Sequence, residues 1–366
     1  MKRICFVLDS AFFIDKGGAE LQAYYIGKEL SKRGWDVHYI HRSKWKKRIV
    51  KDGITWHALP QIPRKFSLGL FLYIPLVELL DEIKPDIIYQ RVQNIHTGLV
   101  GRYCNKRDVK FVWAVSSIGE CEKKISQNTL KIILWYFNNQ FAKWGIKQAD
   151  KIIAQTKTQK EKLRLNFGLD SIVIPNSQTV PNPPFNKNDP PIVLWVANIK
   201  DLKRPEIFIK LAIELNNSNA KFVMVGRLPS NEDYRKKILN LISEAENVDY
   251  RGELPYKDVN EWVEQASIFV NTSLPLEGFP NTFIQAWLRE TPVVSLTFDP
   301  DGLLTSKNIG IRSGNFKKMV KDVKNLLENP KERVKIGKKA RKFAVKNYDI
   351  KNNIKKYENL FQQLVE

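Results

Sequence analysis

The sequence predicts an α/β protein made of two doubly wound domains, each a parallel sheet with helices on both faces. Short apolar segments alternate with helix-length amphipathic segments along the 366 residues, as in parallel strands joined by crossover helices. A run with five prolines between Pro181 and Pro191 interrupts this pattern, which then begins again. Because proline fits neither a helix interior nor a central strand, the run predicts a linker between two domains.

The first half of the chain contains seven segments that read as strands and five that read as helices. The predicted strands are Ile4–Ser10, Val37–Arg42, Ile54–Leu59, Asp86–Arg91, Lys110–Ser116, Lys151–Thr156 and Ser171–Pro175. The predicted helices are Ala19–Arg33, Ser67–Ile83, Ile95–Lys106, Lys123–Gln148 and Thr158–Phe167.

The second half repeats the alternation and then becomes helical and rich in lysine over the last fifty or so residues. The predicted strands are Ile192–Ala197, Lys221–Gly226, Val248–Gly252, Ser267–Thr272 and Pro292–Leu296. The predicted helices are Pro205–Asn217, Asp233–Ala245, Lys257–Gln265 and Asn281–Arg289. We therefore expect an N-terminal domain at 1–180, a linker at 181–191 and a second domain at 192–346.

The charge of the chain is unusual, because 60 Lys and Arg stand against 39 Asp and Glu and give +21. Such a balance favours an anionic partner: nucleic acid, an anionic membrane or a phosphorylated substrate. The excess is uneven, with +14 in residues 1–176, −3 in 177–300 and +10 in 301–366. Hydrophobic residues at 43% and charged residues at 27% exclude wholesale disorder.

The cysteines and the apolar segments of the sequence indicate in which cellular compartment the protein is expected. Cys5, Cys104 and Cys121 are too few and too scattered for a disulfide framework. The basic start is followed by only five apolar residues, which is too short for a signal peptide, and the twelve residues from Phe66 to Val77 cannot span a bilayer as a helix. We therefore expect a cytoplasmic protein, with attachment to a membrane surface left open.

Two turns after predicted strands favour anion binding. Gly17 and Gly18 open a helix that carries Glu20 in its first turn, so the backbone and the helix N-terminus could approach a phosphate closely. Lys200, Lys203 and Arg204 follow the first strand of the second domain and precede a proline suited to a helix start. The alternatives are a plain strand–helix turn for the first and a solvated turn for the second.

A third turn carries a carboxylate and a helix start together. Glu277 and Gly278 precede the segment Phe279-Pro280-Asn281-Thr282, where a helix is expected to begin near Asn281. A carboxylate at this place can accept hydrogen bonds from sugar hydroxyls, and the amides of Asn281 and Thr282 can face an anion. Gln285 lies about one turn into the helix and can bond hydroxyls from its side. The alternative is a helix cap with an amphipathic face.

Taken in order along the chain, these motifs resemble the family 4 glycosyltransferases, which are retaining enzymes with the GT-B fold. The resemblance rests on Gly17–Glu20, the Lys203 turn, and Glu277–Thr282 followed by Pro292–Ser295, with Ala149–Thr156 and Ile174–Asn176 in agreement. It covers essentially the whole chain. It implies two Rossmann-like domains that face a central cleft, an acceptor-binding N-terminal domain, a donor-binding second domain, and a C-terminal helix of about 347–366 that packs back on the first.

The resemblance also implies roles for single residues. Gly17 and Gly18 match a loop that lies against the donor diphosphate, and Lys203 matches the lysine that holds the donor phosphates. Glu277 matches the first glutamate of the family's E-x7-E motif, which contacts the donor sugar. The segment from Phe279 to Thr282 matches the turn whose backbone lines sugar and phosphate.

The sequence departs from the family pattern at three places. Gln285 replaces the second glutamate of E-x7-E. The amide keeps a hydrogen-bonding group at this position, so recognition of the ribose is still plausible. Asn198 stands where an arginine is frequent, so Lys200 or Arg204 would have to supply that cation. The histidine that many relatives carry in the N-terminal domain has no evident counterpart, because His96 is expected in a helix start; Arg91, at the end of a strand, is the better candidate for the cleft.

The implied reaction moves a sugar from a UDP- or GDP-sugar to a hydroxyl acceptor, in cell-surface polysaccharide or lipid-linked glycan synthesis. Lys203, Arg204 and helix N–H groups would stabilise the departing phosphate, with no metal and no cofactor. Two alternatives stay open: a GT-B enzyme of other chemistry such as a nucleotide-sugar epimerase, or an inactive relative. A nucleic-acid-binding protein is disfavoured, because RNP, zinc and helix-turn-helix signatures are missing from the sequence.

The basic ends suggest a membrane hypothesis. If the C-terminal helices return to the N-terminal domain, the +14 and +10 segments lie on one side. Arg42–Arg48 and Lys123–Lys147 also interleave basic and aromatic residues, among them Trp135, Tyr136, Phe137, Phe141 and Trp144. A surface of this kind suits an anionic membrane interface at the inner face of the cell membrane. The alternative is a solvated lysine-rich face.

Overall fold

The chain forms two compact units in the computed structural model, which describes residues 2–14, 17–43, 48–60, 70–122 and 131–366. The N-terminal unit comprises residues 1–178 and 350–366, and the central unit comprises residues 179–349. The chain therefore leaves the N-terminal unit once and returns to it.

The N-terminal unit is built on a sheet whose described strands run in the order β3-β4-β2-β1-β5-β6-β7-β8. All neighbouring pairs are parallel except β3 and β4, which are antiparallel. The strands are β1 (Arg3–Val7), β2 (Asp36–Ser43), β3 (Ile49–Lys51), β4 (Ile54–Pro60), β5 (Ile87–Arg91), β6 (Lys110–Ala114), β7 (Lys151–Ala154) and β8 (Ile172–Val173).

Helices cover both faces of this sheet, as its continuous apolar strands require. They are α1 (Gly18–Ser31), α2 (Leu70–Ile83), α3 (Ile95–Arg107), α4 (Lys131–Lys147) and α5 (Lys157–Phe167), together with α13 (Ile350–Val365) from the end of the chain. One face packs α1 and α13 around Phe6, Tyr39 and Trp56, and α13 adds Ile354, Tyr357 and Phe361 to that core. The other face packs α2 and α3 around Val7, Ile88 and Trp113.

The exit and the return of the chain lie side by side on the N-terminal unit. The side-chain amide of Gln22 bonds both the N–H and the carbonyl of Ser177, at 2.8 and 2.9 Å. Asn353 on α13 donates to the hydroxyl of Ser177 at 2.8 Å, and the Ile350 N–H donates to the Gln178 carbonyl at 3.0 Å. These bonds fix both crossing points of the chain.

The central unit has a sheet in the order β11-β10-β9-β12-β13-β14, and every pair in it is parallel. Its strands are β9 (Ile192–Val196), β10 (Lys221–Val225), β11 (Val248–Tyr250), β12 (Ala266–Asn271), β13 (Val293–Ser295) and β14 (Gly310–Arg312). Its helices are α6 (Pro205–Glu214), α7 (Glu232–Glu244), α8 (Tyr256–Gln265), α9 (Asn281–Leu288), α10 (Leu303–Lys307), α11 (Phe316–Glu328) and α12 (Pro330–Tyr348).

Both faces of this second sheet are also covered. Phe283 and Trp287 of α9 pack with Tyr348 at the end of α12, so α12 completes the core of the central unit. Phe208 and Leu211 of α6 fill the opposite face. The segment before β9 is attached to this unit, since the ammonium of Lys187 donates to the carbonyls of Glu264 and Arg289 and to the Thr291 hydroxyl at 2.7–2.9 Å.

The predicted strand–helix alternation is confirmed, with two additional short strands. The exposed edge strand β3 and the short strand β14 were not expected from the sequence. Residues 131–147 of the helix predicted over Lys123–Gln148 are helical, and its residues 123–130 lie outside the described part of the chain, as do 67–69 of the helix predicted from Ser67. Asp15, Lys16, the basic stretch 44–47 and the side chain of Trp135 also lie outside it.

The expectation that both basic ends of the chain lie on the N-terminal unit is wrong. Residues 301–349 carry 14 basic and 5 acidic groups and belong to the central unit, because α12 packs against α9. Residues 350–366, which join the N-terminal unit, carry only 3 basic and 2 acidic groups. None of the helices among the described residues has the length and apolar character needed to cross a bilayer.

Candidate active site

The turns with the predicted chemistry meet at one edge of the central sheet. Strands β9 and β12 are parallel neighbours, so the turns that follow them leave the sheet at the same carboxyl edge. The first turn leads through a short 3₁₀ helix, Asp201–Lys203, into α6, and the second leads through Glu277 into α9. Residues far apart in sequence are thereby brought together.

The central feature of this edge is a direct ion pair between Lys203 Nζ and Glu277 Oε1. The side chain of Lys203 is 22% exposed and that of Glu277 is 9% exposed, so a ligand could still reach the pair. The second carboxylate oxygen, Glu277 Oε2, is buried and has no hydrogen-bond partner among the described residues. A buried acceptor without a donor costs free energy, and a ligand hydroxyl would supply that donor.

The electrostatics of Lys203 follow from its position. Burial lowers the pKa of the Lys203 ammonium to about 8, and the positive charge of Lys200 acts in the same direction. The carboxylate of Glu277 acts in the opposite direction, because it favours the charged ammonium. A desolvated ammonium beside an exposed lysine forms an electropositive position at the mouth of the turn, suited to a phosphate group.

The backbone of the Lys203 turn is fixed to the end of β12. The Leu274 N–H donates to the Leu202 carbonyl at 2.9 Å. The hydroxyl of Thr272 donates to the Lys203 carbonyl at 2.6 Å and accepts from the indole N–H of Trp195 at 3.0 Å. The position of Lys203 therefore depends on residues from two neighbouring strands.

The guanidinium of Arg204 faces backbone oxygens. Its Nε donates to the Thr272 carbonyl at 2.7 Å, and a terminal nitrogen lies 3.3 Å from the Ser273 carbonyl and 3.2 Å from the Thr297 hydroxyl. Of the other two cations predicted for this turn, Lys203 contacts Glu277 and Lys200 is exposed.

Asn198 lies between two backbone contacts with the neighbouring strand end. Ala197 N–H donates to Val225 and Ile199 N–H donates to Arg227, at 3.1 and 2.9 Å. Gly226 faces this turn so closely that a Cβ there would overlap the Ala197 carbonyl. The close approach of the two loops therefore requires glycine at 226, and the two backbone bonds fix the turn that contains Asn198.

The turn before α9 combines a buried anchor with an accessible backbone. Phe279 is buried and its ring packs on Trp287 and Tyr348 at centroid distances of 6.0 and 5.1 Å. Gly278, Pro280, Asn281 and Thr282 are half-buried, and Pro280 occupies the position before the first helical residue. The Phe279 side chain thus belongs to the core, so a ligand at this edge could meet only the backbone of that residue.

Gln285 is buried one turn into α9, and its amide has a defined partner. Gln285 Nε2 donates to Asn260 Oδ1 on α8 at 2.9 Å. The bond directs the amide nitrogen toward α8, which leaves the amide oxygen as the group that can accept from a ligand hydroxyl.

In the N-terminal unit, Gly17 precedes α1 and Gly18 is its first residue. The Glu20 carboxylate folds back over Gly17, and a Cβ at Gly17 would overlap it. A carboxylate in the first turn of a helix is favoured by the helix dipole. Glu20 therefore lies at the start of α1 beside the glycine pair.

Arg91 and His96 are both buried at the carboxyl edge of the N-terminal sheet. Arg91 donates to Asn176 Oδ1 at 2.7 Å and so supports the segment where the chain leaves this unit. His96 Nε2 lies 3.0 Å from Asp9 Oδ1, and Arg42 contacts the same carboxylate at 2.9 and 3.0 Å. The more exposed member of this group is Asp9, which the sequence reasoning did not single out.

The described part of the chain has no group of three or more His, Cys, Asp or Glu side chains placed to hold a metal ion.

Comparison with known proteins identifies the family. The model of the group 1 glycosyl transferases matches residues 177–343, and that of glycosyltransferase family 4 matches residues 16–177. The chain belongs to the family 4 glycosyltransferases. It is therefore an enzyme that transfers a glycosyl group from a nucleotide sugar. No curated protein matches the sequence.

Solved structures confirm the GT-B fold over the whole length. Sucrose-phosphate synthase from Thermosynechococcus elongatus has a TM-score of 0.77 at 16% identity, with 100% of this chain and 99% of that chain covered. HepE of Anabaena in complex with UDP and glucose has the same score and identity, with 99% and 100% covered. A mutant of TarM from S. aureus, in complex with fondaparinux, alpha-GlcNAc-glycerol and UDP, scores 0.63 at 19% identity, with 78% and 58% covered.

Proposed function

We propose that this glycosyltransferase is a retaining, metal-independent enzyme that uses a UDP- or GDP-sugar, and that its donor site is the carboxyl edge of the central unit. The observation that carries the proposal is the contact between Lys203 and Glu277, since it joins a phosphate-binding cation to a hydroxyl-binding carboxylate at one point. UDP is present in the complexes of HepE and TarM.

The chemistry of the step assigns the two residues different tasks. When the anomeric C–O bond breaks, the electron pair leaves with the phosphate and positive charge develops on the sugar. Lys203 stabilises the negative charge that accumulates on the departing phosphate. Glu277 accepts hydrogen bonds from the sugar hydroxyls through Oε2, which has no donor among the described residues.

The remaining residues of this edge surround the same donor. Lys200 adds positive charge beside the diphosphate, and Asn198 occupies the turn next to it. The backbone from Gly278 to Thr282, with Asn281 in the first turn of α9, lines sugar and phosphate. Gln285 accepts from the ribose through its amide oxygen. In the N-terminal unit, the backbone of Gly17 and Gly18 at the start of α1, with Glu20 in the same turn, is a second place that a phosphate could approach.

Calorimetric titration tests the donor site directly. The protein is titrated with UDP, GDP, ADP and a single-stranded oligonucleotide. We expect one nucleoside diphosphate to bind, and Lys203→Ala to weaken that binding at least tenfold. Lys210→Ala, which removes an exposed lysine from α6, serves as the matched control. Salt-sensitive oligonucleotide binding without binding of any nucleoside diphosphate would contradict the proposal.

The acceptor is proposed to be a hydroxyl of a cell-surface polysaccharide or a lipid-linked glycan, bound by the N-terminal unit. Asp9 follows β1 at the carboxyl edge of that unit, and His96 and Arg42 fix its orientation. Asp9→Asn is expected to raise KM for the acceptor and to leave hydrolysis of the donor unchanged. Arg91, which is buried against Asn176, is expected to act on the fold of this edge rather than on the acceptor.

We further propose that the N-terminal unit meets an anionic membrane through one face of α4. Phe137 is 63% exposed and Trp144 is 39% exposed, although both are large and apolar. Tyr136, Lys143 and Lys147 lie on the adjoining side of the helix, at spacings of seven and eleven residues, and the Lys143 ammonium lies 5.7 Å from the Phe167 ring centroid. Exposed aromatic rings with flanking lysines are typical of an interfacial helix.

Flotation with phosphatidylglycerol liposomes tests this face. The wild-type protein is expected to float at low salt, and the double variant F137S/W144S is expected to remain in the dense fraction. Ile74→Ser removes an equally exposed apolar side chain from α2 and is the matched control. Failure of the wild type to bind at low salt would contradict the membrane proposal and leave the donor site untouched.

A further inference from the structure

Arg204 adopts a backbone conformation that normally favours glycine. Its φ and ψ are 45° and 56°, in the left-handed region. For a residue with a Cβ this conformation is unfavourable, because the Cβ comes close to the following carbonyl oxygen. Glycine would avoid this strain. The side chain of Arg204 is therefore expected to make interactions that offset it.

The contribution is a set of hydrogen bonds to buried oxygens of another strand end. Thr272 and Ser273 are buried, and their carbonyls lie beyond the last ladder bonds of β12. The guanidinium supplies donors to both carbonyls and also contacts the Thr297 hydroxyl after β13. Arg204 thus joins the ends of three strands, because its own turn follows β9.

The same residues hold the catalytic lysine. Thr272, whose carbonyl accepts from Arg204, donates its hydroxyl to the Lys203 carbonyl. Arg204 is the next residue in the chain, so its side chain and the Thr272 hydroxyl fix the Lys203 backbone from both sides. We infer that Arg204 is a positioning residue, which keeps the Lys203 ammonium at Glu277 and at the donor phosphate, and that its own guanidinium does not contact the phosphate.

This inference rests on the proposed donor site and makes a distinct prediction about it. If Arg204 acts through Lys203, the removal of the Arg204 side chain lowers only the affinity that Lys203 contributes. UDP and UMP differ by the β-phosphate, so the contribution of Lys203 is measured by how much more tightly UDP binds than UMP. If Arg204 binds the phosphate itself, its contribution adds to that of Lys203.

The experiment measures the Kd of UDP and UMP for wild type, R204G, K203A and the double variant K203A/R204G. Glycine relieves the backbone strain, so R204G loses the hydrogen bonds without keeping the unfavourable φ. We expect R204G to reduce the UDP preference about tenfold and to change the UMP Kd less than twofold. The double variant is expected to match K203A within twofold.

Arg333 gives a matched control within the same unit. Its guanidinium also donates to two backbone carbonyls, Leu326 and Leu327, at 2.7 and 3.0 Å. Those carbonyls end α11, which starts after β14 and therefore finishes at the amino edge of the sheet, opposite the donor site. Arg333→Ala is expected to lower the melting temperature without changing the UDP preference.

Each outcome decides between the possibilities. Additive losses in the double variant would assign Arg204 to the phosphate and overturn the inference. An unchanged UDP preference in R204G would overturn it as well. If wild type binds none of UDP, GDP and ADP, the proposed donor site itself is wrong, which differs from failure of Arg204 alone.

Discussion

Lys203 and Glu277 form a contact ion pair at the carboxyl edge of the central sheet, although they follow different strands. The pair places the cation that we propose for the donor phosphate in direct contact with the carboxylate that we propose for the donor sugar. A nucleotide sugar has its own negative and hydroxyl-bearing groups at adjacent positions, around the anomeric bond. The geometry of the pair therefore matches the part of the donor where the reaction occurs.

Donor binding should weaken as the pH rises through about 8. Burial lowers the pKa of Lys203 to about 8, and only the protonated ammonium attracts phosphate. The charge is thus present at pH 7 and is lost toward pH 9. Calorimetry with UDP between these values measures the effect. Lys203→Arg stays charged throughout and should bind UDP with a flat profile; a flat wild-type profile would contradict the assignment.

Glu277→Gln should slow turnover on the order of 10² while leaving the Kd of UDP within about threefold. The substitution keeps the shape but removes the negative charge that faces the sugar, and UDP has no sugar at that position. Hydrolysis of the UDP-sugar gives the rate, and calorimetry gives the Kd. Glu328→Gln at the end of α11 is the control. A large loss of UDP affinity with normal turnover would mean that Glu277 acts at the phosphate and not at the sugar.

The amide pair of Gln285 and Asn260 should tolerate one carboxylate but not two. In Gln285→Glu, the Asn260 amide can turn and donate; in Asn260→Asp, Gln285 Nε2 still donates. Each single variant should keep the UDP Kd within about threefold. The double variant Q285E/N260D places two carboxylates in contact and should weaken binding at least tenfold. If the double variant binds UDP as tightly as wild type, Gln285 does not contact the ribose.

Acid should destabilise the N-terminal unit through His57. Burial first, and then the positive charge of His38, Arg48 and His41, lowers the pKa of His57 to about 4. A histidine with a lowered folded pKa stabilises the fold above its usual pKa, and that stability is lost as the pH falls from about 6.5 toward 4. The free energy of unfolding should drop by about 2 kcal/mol between pH 7 and pH 5.

The readout for His57 is urea unfolding at the two pH values. His57 Nε2 lies 2.9 Å from His38 Nδ1, and His38 also contacts Asp36 at 3.1 Å. His57→Gln retains a hydrogen-bonding group without a titrating ring, so most of the pH difference should disappear. An equal drop in this variant would assign the acid sensitivity to other groups.

The strands that the sequence predicted correctly share buried, continuous apolar runs, as in Ile192–Val196. The strands it missed lack that signal. All three residues of β3, Ile49–Lys51, are exposed, and the pairing of this strand depends on the hairpin with β4. Strand β14 has only three residues and is defined by its place beside β13. Short edge strands of this kind are fixed by tertiary pairing.

Some residues of the candidate site could likewise be predicted from the sequence, and others could not. Lys203 and Glu277 could be predicted because each follows a buried strand and precedes a helix, where parallel sheets bind ligands. The role of Arg204 could not, since its left-handed backbone and its bonds to Thr272 and Ser273 exist only once β9 and β12 are adjacent. Asn260 is likewise visible only after α8 and α9 pack.

The return of α13 to the N-terminal unit has a consequence for biosynthesis. Ile354, Tyr357, Leu360 and Phe361 complete a core whose other buried members lie before residue 178, whereas the central unit is continuous in the chain. During translation the central unit emerges whole before α13 does. The N-terminal unit is synthesised first, but its core residues Phe6 and Tyr89 are not covered by α13 until the end of the chain has been made. We therefore expect a chaperone to bind this unit rather than the central one.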